Sequence, residues 1–451
     1  NGQRVVVVGA GPAGLSCAWF AALAGFAVDV YEAKPFAGGM AADAIPAFRL
    51  SDEQIRQDIA RIERLGVHFH FNEKIGADRF AALRGQARYL FVGLGAQENK
   101  GMGIPGEELS RVYGALAFLS SVRRGQPLPV GKRVAVVGGG NSAMDAARTA
   151  WRLGAEVTLL YRRTMHEMPA DREELEAIIE EGVTIRELVN PAAITEQDGS
   201  LAVRCDLMRL GEPDESGRRR PEQSGAEETL LFDSVVMAIG QAVRPDIGAW
   251  QTFQADPVTC ETRMDGVYAG GDLVHGALNL ITGIADGRRA AEDMMRRSGI
   301  EPAAALGHAN KGLPEGRQQF RSARRQPGTV PEEAPVAARR GFTRVIGSLG
   351  TEQARAEAAR CLYCSDVCNV CVTVCPNRAN LGYRTAPAAY KVSVLQREGG
   401  VLRQEVLGRL RVTQRVQVCN IADFCNECGN CRTFCPTAGA PYQDKPRVCL
   451  G

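Results

Sequence analysis

Of the 14 cysteines in this 451-residue chain, eleven fall between Cys361 and Cys449. Their spacing suits thiolates gathered around iron. Cys425-x2-Cys428-x2-Cys431-x3-Cys435-Pro436 is a complete bacterial ferredoxin run. In such a run the first three thiolates hold one [4Fe–4S] cluster and the cysteine before proline reaches a second. An earlier run, Cys361-x2-Cys364-x3-Cys368-x2-Cys371-x3-Cys375-Pro376, ends in four cysteines that repeat the pattern with one extra residue after the first. The reading is therefore reciprocal. Cys364, Cys368 and Cys371 with Cys435 would hold one cluster, and Cys425, Cys428 and Cys431 with Cys375 the other. Cys361, Cys419 and Cys449 are surplus, and Cys361 could take the place of Cys364 or Cys368. Structural zinc is the alternative, since thiolate sets also suit tetrahedral Zn²⁺. Two Cys-Pro pairs and the x2-x2-x3 spacing, in place of paired Cys-x2-Cys knuckles, favour iron–sulfur. Cys17, Cys205 and Cys260 are scattered and are expected to be small buried hydrophobes. Clustered thiols of this kind belong to a reducing compartment, so a cytoplasmic protein is expected.

A second chemistry is written in glycine. Gly9-Ala10-Gly11-Pro12-Ala13-Gly14 follows the strand Val5–Val8 and opens a helix. In a dinucleotide-binding turn Gly9 permits the tight bend, Gly11 lets a pyrophosphate reach the backbone, and Gly14 lets helix and strand pack closely. The phosphates then sit on the helix N-terminus. Glu32 ends the next strand, where an acid holds ribose hydroxyls. Far along the chain, Asp265-Gly266-Val267-Tyr268-Ala269-Gly270-Gly271-Asp272 is a strand ending in Gly271-Asp272. It reads as the second half of an FAD domain, with Asp272 on the flavin ribitol chain. The helix carrying Asp286-Gly287-Arg288 would then turn its positive end to the flavin.

Gly138-Gly139-Gly140-Asn141-Ser142-Ala143 repeats the turn in its G-x-G-x-x-A form. The strand after it ends in Tyr161-Arg162-Arg163, where NAD-binding proteins carry an acid. Arg162 and Arg163 could grip a 2′-phosphate with paired charge-assisted bonds, which favours NADPH over NADH. The alternative is that both are solvated surface charges.

Strand and helix signals alternate to about residue 300, with two βαβ units about 130 residues apart. This predicts an α/β protein of two nested doubly wound, Rossmann-like dinucleotide-binding domains and a small C-terminal ferredoxin-like iron–sulfur domain. The FAD domain is expected to be split between 1–105 and 242–300, around an NADPH domain at 106–241. A linker is expected at 301–345 and the two-cluster domain at 346–451. The linker is rich in Pro, Gly, Ala and Arg, and its pairs Arg324-Arg325 and Arg339-Arg340 read as a solvated basic loop. The chain opens at Asn1 without a methionine and enters a strand at once, so a native N-terminal region is expected to precede it. A net charge of +2 gives no reason to invoke nucleic acid or a membrane surface, and no apolar run is long enough for a membrane span.

These motifs, with Glu32-Ala33-Lys34-Pro35-Phe36-Ala37-Gly38-Gly39-Met40, Ile45-Pro46-Ala47-Phe48-Arg49-Leu50, Gly103-Ile104-Pro105-Gly106-Glu107 and Met168-Pro169-Ala170, resemble the glutamate synthase small (β) subunit and its relatives. Those relatives include the NADPH-side half of dihydropyrimidine dehydrogenase. The resemblance covers residues 4 to about 298. It implies that Gly11, Ala13, Glu32, Gly39, Arg49 and Asp272 line FAD, and that Gly140, Asn141, Ser142, Arg162 and Arg163 line NADPH. In those relatives the cluster cysteines precede the FAD domain, whereas here they follow it. That arrangement is more similar to the selenate reductase iron–sulfur subunit.

The expected chemistry is hydride transfer from NADPH to FAD, then single electrons through two [4Fe–4S] clusters to an acceptor. The acceptor would be a further domain or partner subunit, of the molybdenum-enzyme or amidotransferase kind. Hydride transfer needs no general acid or base, so none is assigned. The five histidines form no cluster, and the flavin and NADPH regions contain no Cys-x-x-Cys, which argues against a thioredoxin-reductase type of enzyme. Two other classes remain: an electron-relay or assembly subunit with a vestigial NADPH site, and an iron–sulfur redox sensor.

Overall fold

Short valine-rich strands between helices build two parallel sheets on one plan. In the computed structural model, residues 2–213, 218–243, 253–302, 327–360, 370–386, 388–398, 401–412, 416–435 and 439–450 are described. They fall into two compact units: Asn1–Ala309 with Glu332–Gly347, and Ser348–Gly451 with residues 327–331. Cys361, Cys364 and Cys368, the Arg324-Arg325 pair and Pro436 lie outside the described residues.

In the first unit, β1 (Arg4–Val8), β2 (Ala27–Tyr31), β3 (His68–His70), β4 (Tyr89–Val92) and β15 (Val267–Ala269) form a parallel sheet of order β15-β4-β1-β2-β3. The second sheet comprises β6 (Val112–Gly114), β7 (Arg133–Val137), β8 (Glu156–Tyr161), β9 (Thr184–Glu187) and β13 (Ser234–Met237). Its order is β6-β13-β7-β8-β9, in which β13, β7, β8 and β9 take the places of β4, β1, β2 and β3 while the outer strand β6 comes first in the chain and β15 last; it too is parallel. An antiparallel pair, β5 (Glu98–Asn99) with β14 (Gln241–Ala242), stands where the chain leaves the first sheet and returns. Val5, Val6 and Val7 are wholly buried, as a parallel strand covered on both faces requires.

Helices α1 (Pro12–Leu23), α3 (Asp52–Glu63) and α9 (Leu280–Arg297) lie along one face of the first sheet, where Cys17, Ile59 and Met294 join Val5, Val7 and Phe91 in one core. On the other face α4 (Ala77–Gln86) and α8 (Asp272–His275) bury Phe80, Leu83 and Leu273 against Val6, Val8 and Leu90. The short α2 (Met40–Asp43) follows the first dinucleotide turn. Helices α5 (Ala115–Arg123), α6 (Asn141–Arg152) and α7 (Arg172–Glu180) cover one face of the second sheet. The expectation of double winding needs correcting on its other face. That face is covered by an antiparallel sheet of β10 (Val189–Gln197), β11 (Ser200–Pro213) and β12 (Arg219–Phe232). Ile194, Leu201, Val203 and Phe232 pack there on Val137, Leu160 and Val235.

A buried ionic layer joins the two parallel folds. Phe48, 1% exposed, lies under the guanidinium groups of Arg152 and Arg148, whose Cζ atoms stand 3.9 and 4.9 Å from its ring. Both arginines converge on Glu181: Arg148 Nη2 reaches Oε1 at 2.9 Å and Arg152 Nη1 reaches Oε2 at 2.9 Å. On the other side of the junction, Asp43 accepts from Lys34 at 2.8 Å and from Arg124 at 2.6 Å.

The basic stretch after residue 330 is not a solvated loop where it is described. Arg339 is buried, with Nη1 2.9 Å from Glu180 and Nη2 3.0 Å from Glu333. Arg340 stacks 3.8 Å from the Trp151 ring and donates to the Trp151 carbonyl at 2.9 Å. The Val345 amide donates to the Phe48 carbonyl at 3.0 Å. Carboxylates and rings of the first unit lower the cost of burying these cations. The segment 332–347 is therefore a strap over the ionic layer.

In the second unit a helix, Thr351–Ala359, precedes the cysteine region. Strands β16 (Asn380–Arg384), β19 (Val416–Ile421) and β20 (Arg447–Val448) form a small sheet of order β16-β19-β20, and β17 (Ala388–Glu398) with β18 (Val401–Val412) forms a hairpin. Cys371 and Cys431, on short helices Val370–Thr373 and Asn430–Thr433, meet Val418 in its core.

Glu181 is the keystone of the ionic layer. Burial pushes its carboxyl up, but the bonds from Arg152 and Arg148 outweigh this and hold it below the usual carboxylate range. We predict that Glu181→Gln, which leaves two buried guanidinium groups short of charge, costs about 3–5 kcal/mol of stability, read from thermal or urea unfolding. Because the folded carboxyl titrates lower than the unfolded one, its contribution is complete at neutral pH. It fades as pH falls through the folded value, so the gap between wild type and variant narrows in acid.

Candidate functional site

The two dinucleotide turns lie at the carboxyl ends of β1 and β7, where each sheet's strand order reverses and a crevice opens. In each turn the first glycine is fixed by backbone. A Cβ on Gly9 (φ +101°) would stand 2.4 Å from the Gly93 carbonyl oxygen, and one on Gly138 (φ +142°) 2.3 Å from that of Ala238. Gly14 presses on the turn itself, since its Cβ would stand 1.9 Å from the Gly9 oxygen. The middle glycines differ. A Cβ on Gly11 meets only the Gly39 Cα at 3.9 Å, and one on Gly140 meets nothing within 4 Å. These are open cradles, and both residues stand at the N-caps of α1 and α6, where no side chain caps the helix and the first turn carries no acid. Helices α3 and α9 are capped by the side chains of Ser51 and Asn279. The exposed amides of α1 and α6, beside a gap that the main chain leaves open, suit an anionic pyrophosphate.

Around the first cradle the structure brings together Gly11, Ala13, Gly39 and Gly271. A Cβ on Gly39 would lie 2.7 Å from the Gly11 Cα, and one on Gly271 3.1 Å from the Ala13 Cβ. Glu32 is 9% exposed; its Oε2 accepts from the Ala10 amide at 2.8 Å and its Oε1 from the Lys34 amide at 2.9 Å, so it braces the turn from β2. Asp272 begins α8, and burial raises its carboxyl above the usual range. Arg49 is not in this group. It pairs with Asp145 of α6 and with Glu174 of α7, the latter at 2.5 Å, and so belongs to the ionic layer. Burial there outweighs the attraction of Arg49 and pushes Asp145 up to about 6.

Around the second cradle, Asn141 and Asp171 clasp each other through two 2.9 Å bonds, Ser142 is half-buried and Ala143 is buried against the sheet. The arginine pair is split. Arg162 is exposed, while Arg163 is buried with Nε 2.7 Å from the Arg219 carbonyl of β12.

Two anchors whose residues stand in the quoted motifs had no anchoring role legible in the sequence. Asp286, wholly buried on α9, accepts from the Gly271 amide at 2.8 Å and lies 3.0 Å from His275 Nε2. It ties the Gly271-Asp272 turn to the helix, and its place six residues inside α9 gave no periodic signal. Phe48 and the ionic layer are the other. Cys17, Cys205 and Cys260 are buried, as expected, and burial pushes all three thiols up, Cys205 and Cys260 to about 12. They are poor nucleophiles.

In the second unit, Cys375, Cys425, Cys428 and Cys431 line one small cleft that is open to solvent. Three of its lining cysteines come from one chain segment and the fourth from another. Cys375 and Cys435 are held alike: the Ala379 amide donates to Cys375 Sγ and the Gly439 amide to Cys435 Sγ, each at 3.2 Å and each from four residues on. Among the described residues, no three His, Cys, Asp or Glu side chains gather closely enough to hold a single metal ion.

Two nested parallel sheets of this order, each with a glycine turn at its switch point, define a two-dinucleotide α/β oxidoreductase. The chain belongs to the pyridine nucleotide-disulphide oxidoreductase family, which matches residues 3–294, and is an NAD(P)H-dependent oxidoreductase. It is 35% identical over 466 residues to YgfK of Escherichia coli (strain K12), covering 99% of this chain and 40% of that protein. It is 39% identical over 388 residues to the NADP(+)-dependent formate dehydrogenase subunit beta of Moorella thermoacetica, covering 81% of this chain and 55% of that protein. A protein of Cereibacter sphaeroides named as a glutamate synthase small chain is 36% identical over 315 residues, 65% of this chain and 76% of its own length. The chain thus spans about half the length of the first two. Mycobacterium tuberculosis FprA in complex with NADPH shares the fold, with a TM-score of 0.55 at 19% identity over 75% of this chain and 90% of that one. No helix among the described residues is long and apolar enough to cross a membrane.

The open and closed glycines give a clean test. We predict that Gly140→Ala leaves the melting temperature unchanged but weakens nicotinamide-nucleotide binding roughly tenfold or more, measured by titration calorimetry. Gly138→Ala should instead lower the melting temperature.

Proposed function

We propose that this chain is the electron-entry part of a larger NADPH-dependent enzyme, taking hydride onto FAD and passing single electrons through two [4Fe–4S] clusters to an acceptor domain or partner subunit. The observation that carries this reading is the shared cavity of Cys375, Cys425, Cys428 and Cys431 in the same chain as two open pyrophosphate cradles. A bound flavin converts a two-electron donor into a one-electron source, which is why clusters follow it.

The residues divide the work as follows. The FAD fold, taken from 1–105 and 242–300, uses Gly9, Gly11, Ala13 and Gly14 to admit the pyrophosphate and Glu32 to hold ribose hydroxyls. Gly39 and Gly271 leave room for the cofactor, and Asp272 takes the ribitol chain. The NADPH fold at 106–241 uses Gly138, Gly140, Asn141, Ser142 and Ala143 in the same way. Arg162, exposed at the end of β8, reads the 2′-phosphate, while Arg163 stiffens that corner through β12. The positive N-terminal end of α9 favours negative charge on the flavin ring. Cys364, Cys368, Cys371 and Cys435 hold one cluster and Cys375, Cys425, Cys428 and Cys431 the other. The amides on Cys375 and Cys435 temper the charge of those thiolates. Relatives named as formate dehydrogenase and glutamate synthase subunits support an acceptor carried by a partner of the molybdenum-enzyme or amidotransferase kind. A selenate-reducing partner is the reading that the C-terminal cysteine arrangement favours. The site of action is the reducing cytoplasm.

Two measurements test this. Chain purified anaerobically should contain iron and acid-labile sulfide near eight of each; zinc in their place, or no sulfide, would overturn the cluster assignment. Arg162→Ala should raise KM for NADPH roughly 10- to 100-fold, the loss of one or two charge-assisted bonds, and leave KM for NADH nearly unchanged.

A further inference from the structure

We propose that Asn380 is a positioning residue for electron transfer, a buried carboxamide between the two thiolate sets that raises the reduction potential of the cluster held by Cys375, Cys425, Cys428 and Cys431. The inference rests on the cluster reading above and deepens it.

Asn380 opens β16 and stands directly opposite Asn420 of β19 in the antiparallel ladder. Both side chains are 1% exposed. Two buried carboxamides are costly unless they are bonded, and an aliphatic pair would fill the same ladder without that cost. Their bonds form a chain. Asn420 Nδ2 donates to Asn380 Oδ1 at 2.9 Å, and Asn380 Nδ2 donates to the Cys371 carbonyl at 3.0 Å. Asn420 therefore fixes which way the Asn380 amide faces, with its oxygen on Asn420 and one N–H on the Cys371 carbonyl. Cys371 belongs to one thiolate set, and Asn380 also lines the cavity of the other. One N–H of Asn380 Nδ2 is used on Cys371. The second has no acceptor among the described residues. The Asn420 Oδ1 is likewise buried without a partner, so the pair is not built for its own hydrogen-bond economy.

Adding an electron to a cluster adds negative charge, and an N–H or a polar wall beside it stabilises that charge. A carboxamide fixed in this place favours the reduced form. The competing role is purely structural: Asn380 would hold the turn at Cys371 and leave the potential alone.

The test uses the whole chain, reconstituted anaerobically, with iron and acid-labile sulfide assayed first and cluster potentials then read by dye-mediated titration with paramagnetic resonance detection. Asn380→Leu removes both N–H groups at similar volume, and Asn380→Ser keeps one small donor. The expected result is full cluster content in both variants. One cluster's midpoint should move to more negative potential in Asn380→Leu and by a smaller amount in Asn380→Ser. Unmoved potentials with clusters intact would overturn the proposal, as would loss of the cluster from both variants, which would make the residue structural. Wild-type chain without iron and sulfide would instead overturn the reading on which the proposal rests.

Discussion

The architecture of the first unit depends on main chain lying against main chain at distances that no side chain tolerates. Gly14 brings α1 onto the turn after β1, and Gly287 brings α9 onto α1, where a Cβ would stand 2.1 Å from the Ala13 carbonyl oxygen. Gly9 and Gly138 carry the turns past the carbonyls that follow β4 and β13. Such close packing sets the N-termini of α1 and α6 directly over the strand ends. Within the two turns, the glycines not used in packing are Gly11 and Gly140, and these face open space. A single geometric constraint thus separates the glycines that hold the fold from those that can receive a phosphate.

The second determinant is ionic. Two parallel folds joined by a polar interface would by default move against each other. Here Arg49, Arg148 and Arg152 meet Asp145, Glu174 and Glu181 around the buried ring of Phe48, and Asp43 binds Lys34 and Arg124 nearby. Buried charges contribute little net stability, but each demands its own partner, which makes them specific for one arrangement. The strap at 332–347 adds Arg339 and Arg340 to the same layer and fastens the Phe48 carbonyl. The bonds therefore join a segment beside the first cradle to the helix that begins at the second.

Much of this could be read from residue types alone. Val5–Val8 and Arg133–Val137 lie in buried parallel strands, the glycine turns fall at their ends, and Gly270–Asp272 follows β15, which returns to the first sheet. Those features are local: glycine spacing and buried strands carry their own signal. What was not legible is non-local. Nothing in Arg49 marks Asp145 and Glu174 as its partners. Arg339 and Arg340 looked like solvated charge because the carboxylate and ring that cover them lie more than 150 residues away. The antiparallel β10–β12 layer escaped notice because β12 is largely polar and exposed, so its strands show no clean alternation. In the second unit Cys375, Cys425, Cys428 and Cys431 line one cleft, whereas the Asn380–Asn420 pair depends on a strand register that no motif encodes.

The account as a whole requires that reducing equivalents entering at the second cradle reach the thiolate-bound iron through the flavin. The most direct measurement is anaerobic addition of NADPH to the purified chain, following flavin absorbance and low-temperature paramagnetic resonance together. The account predicts bleaching of the flavin accompanied by a reduced-cluster signal that grows with added NADPH. Flavin that bleaches while the clusters stay silent at any excess of NADPH and after any delay would contradict it.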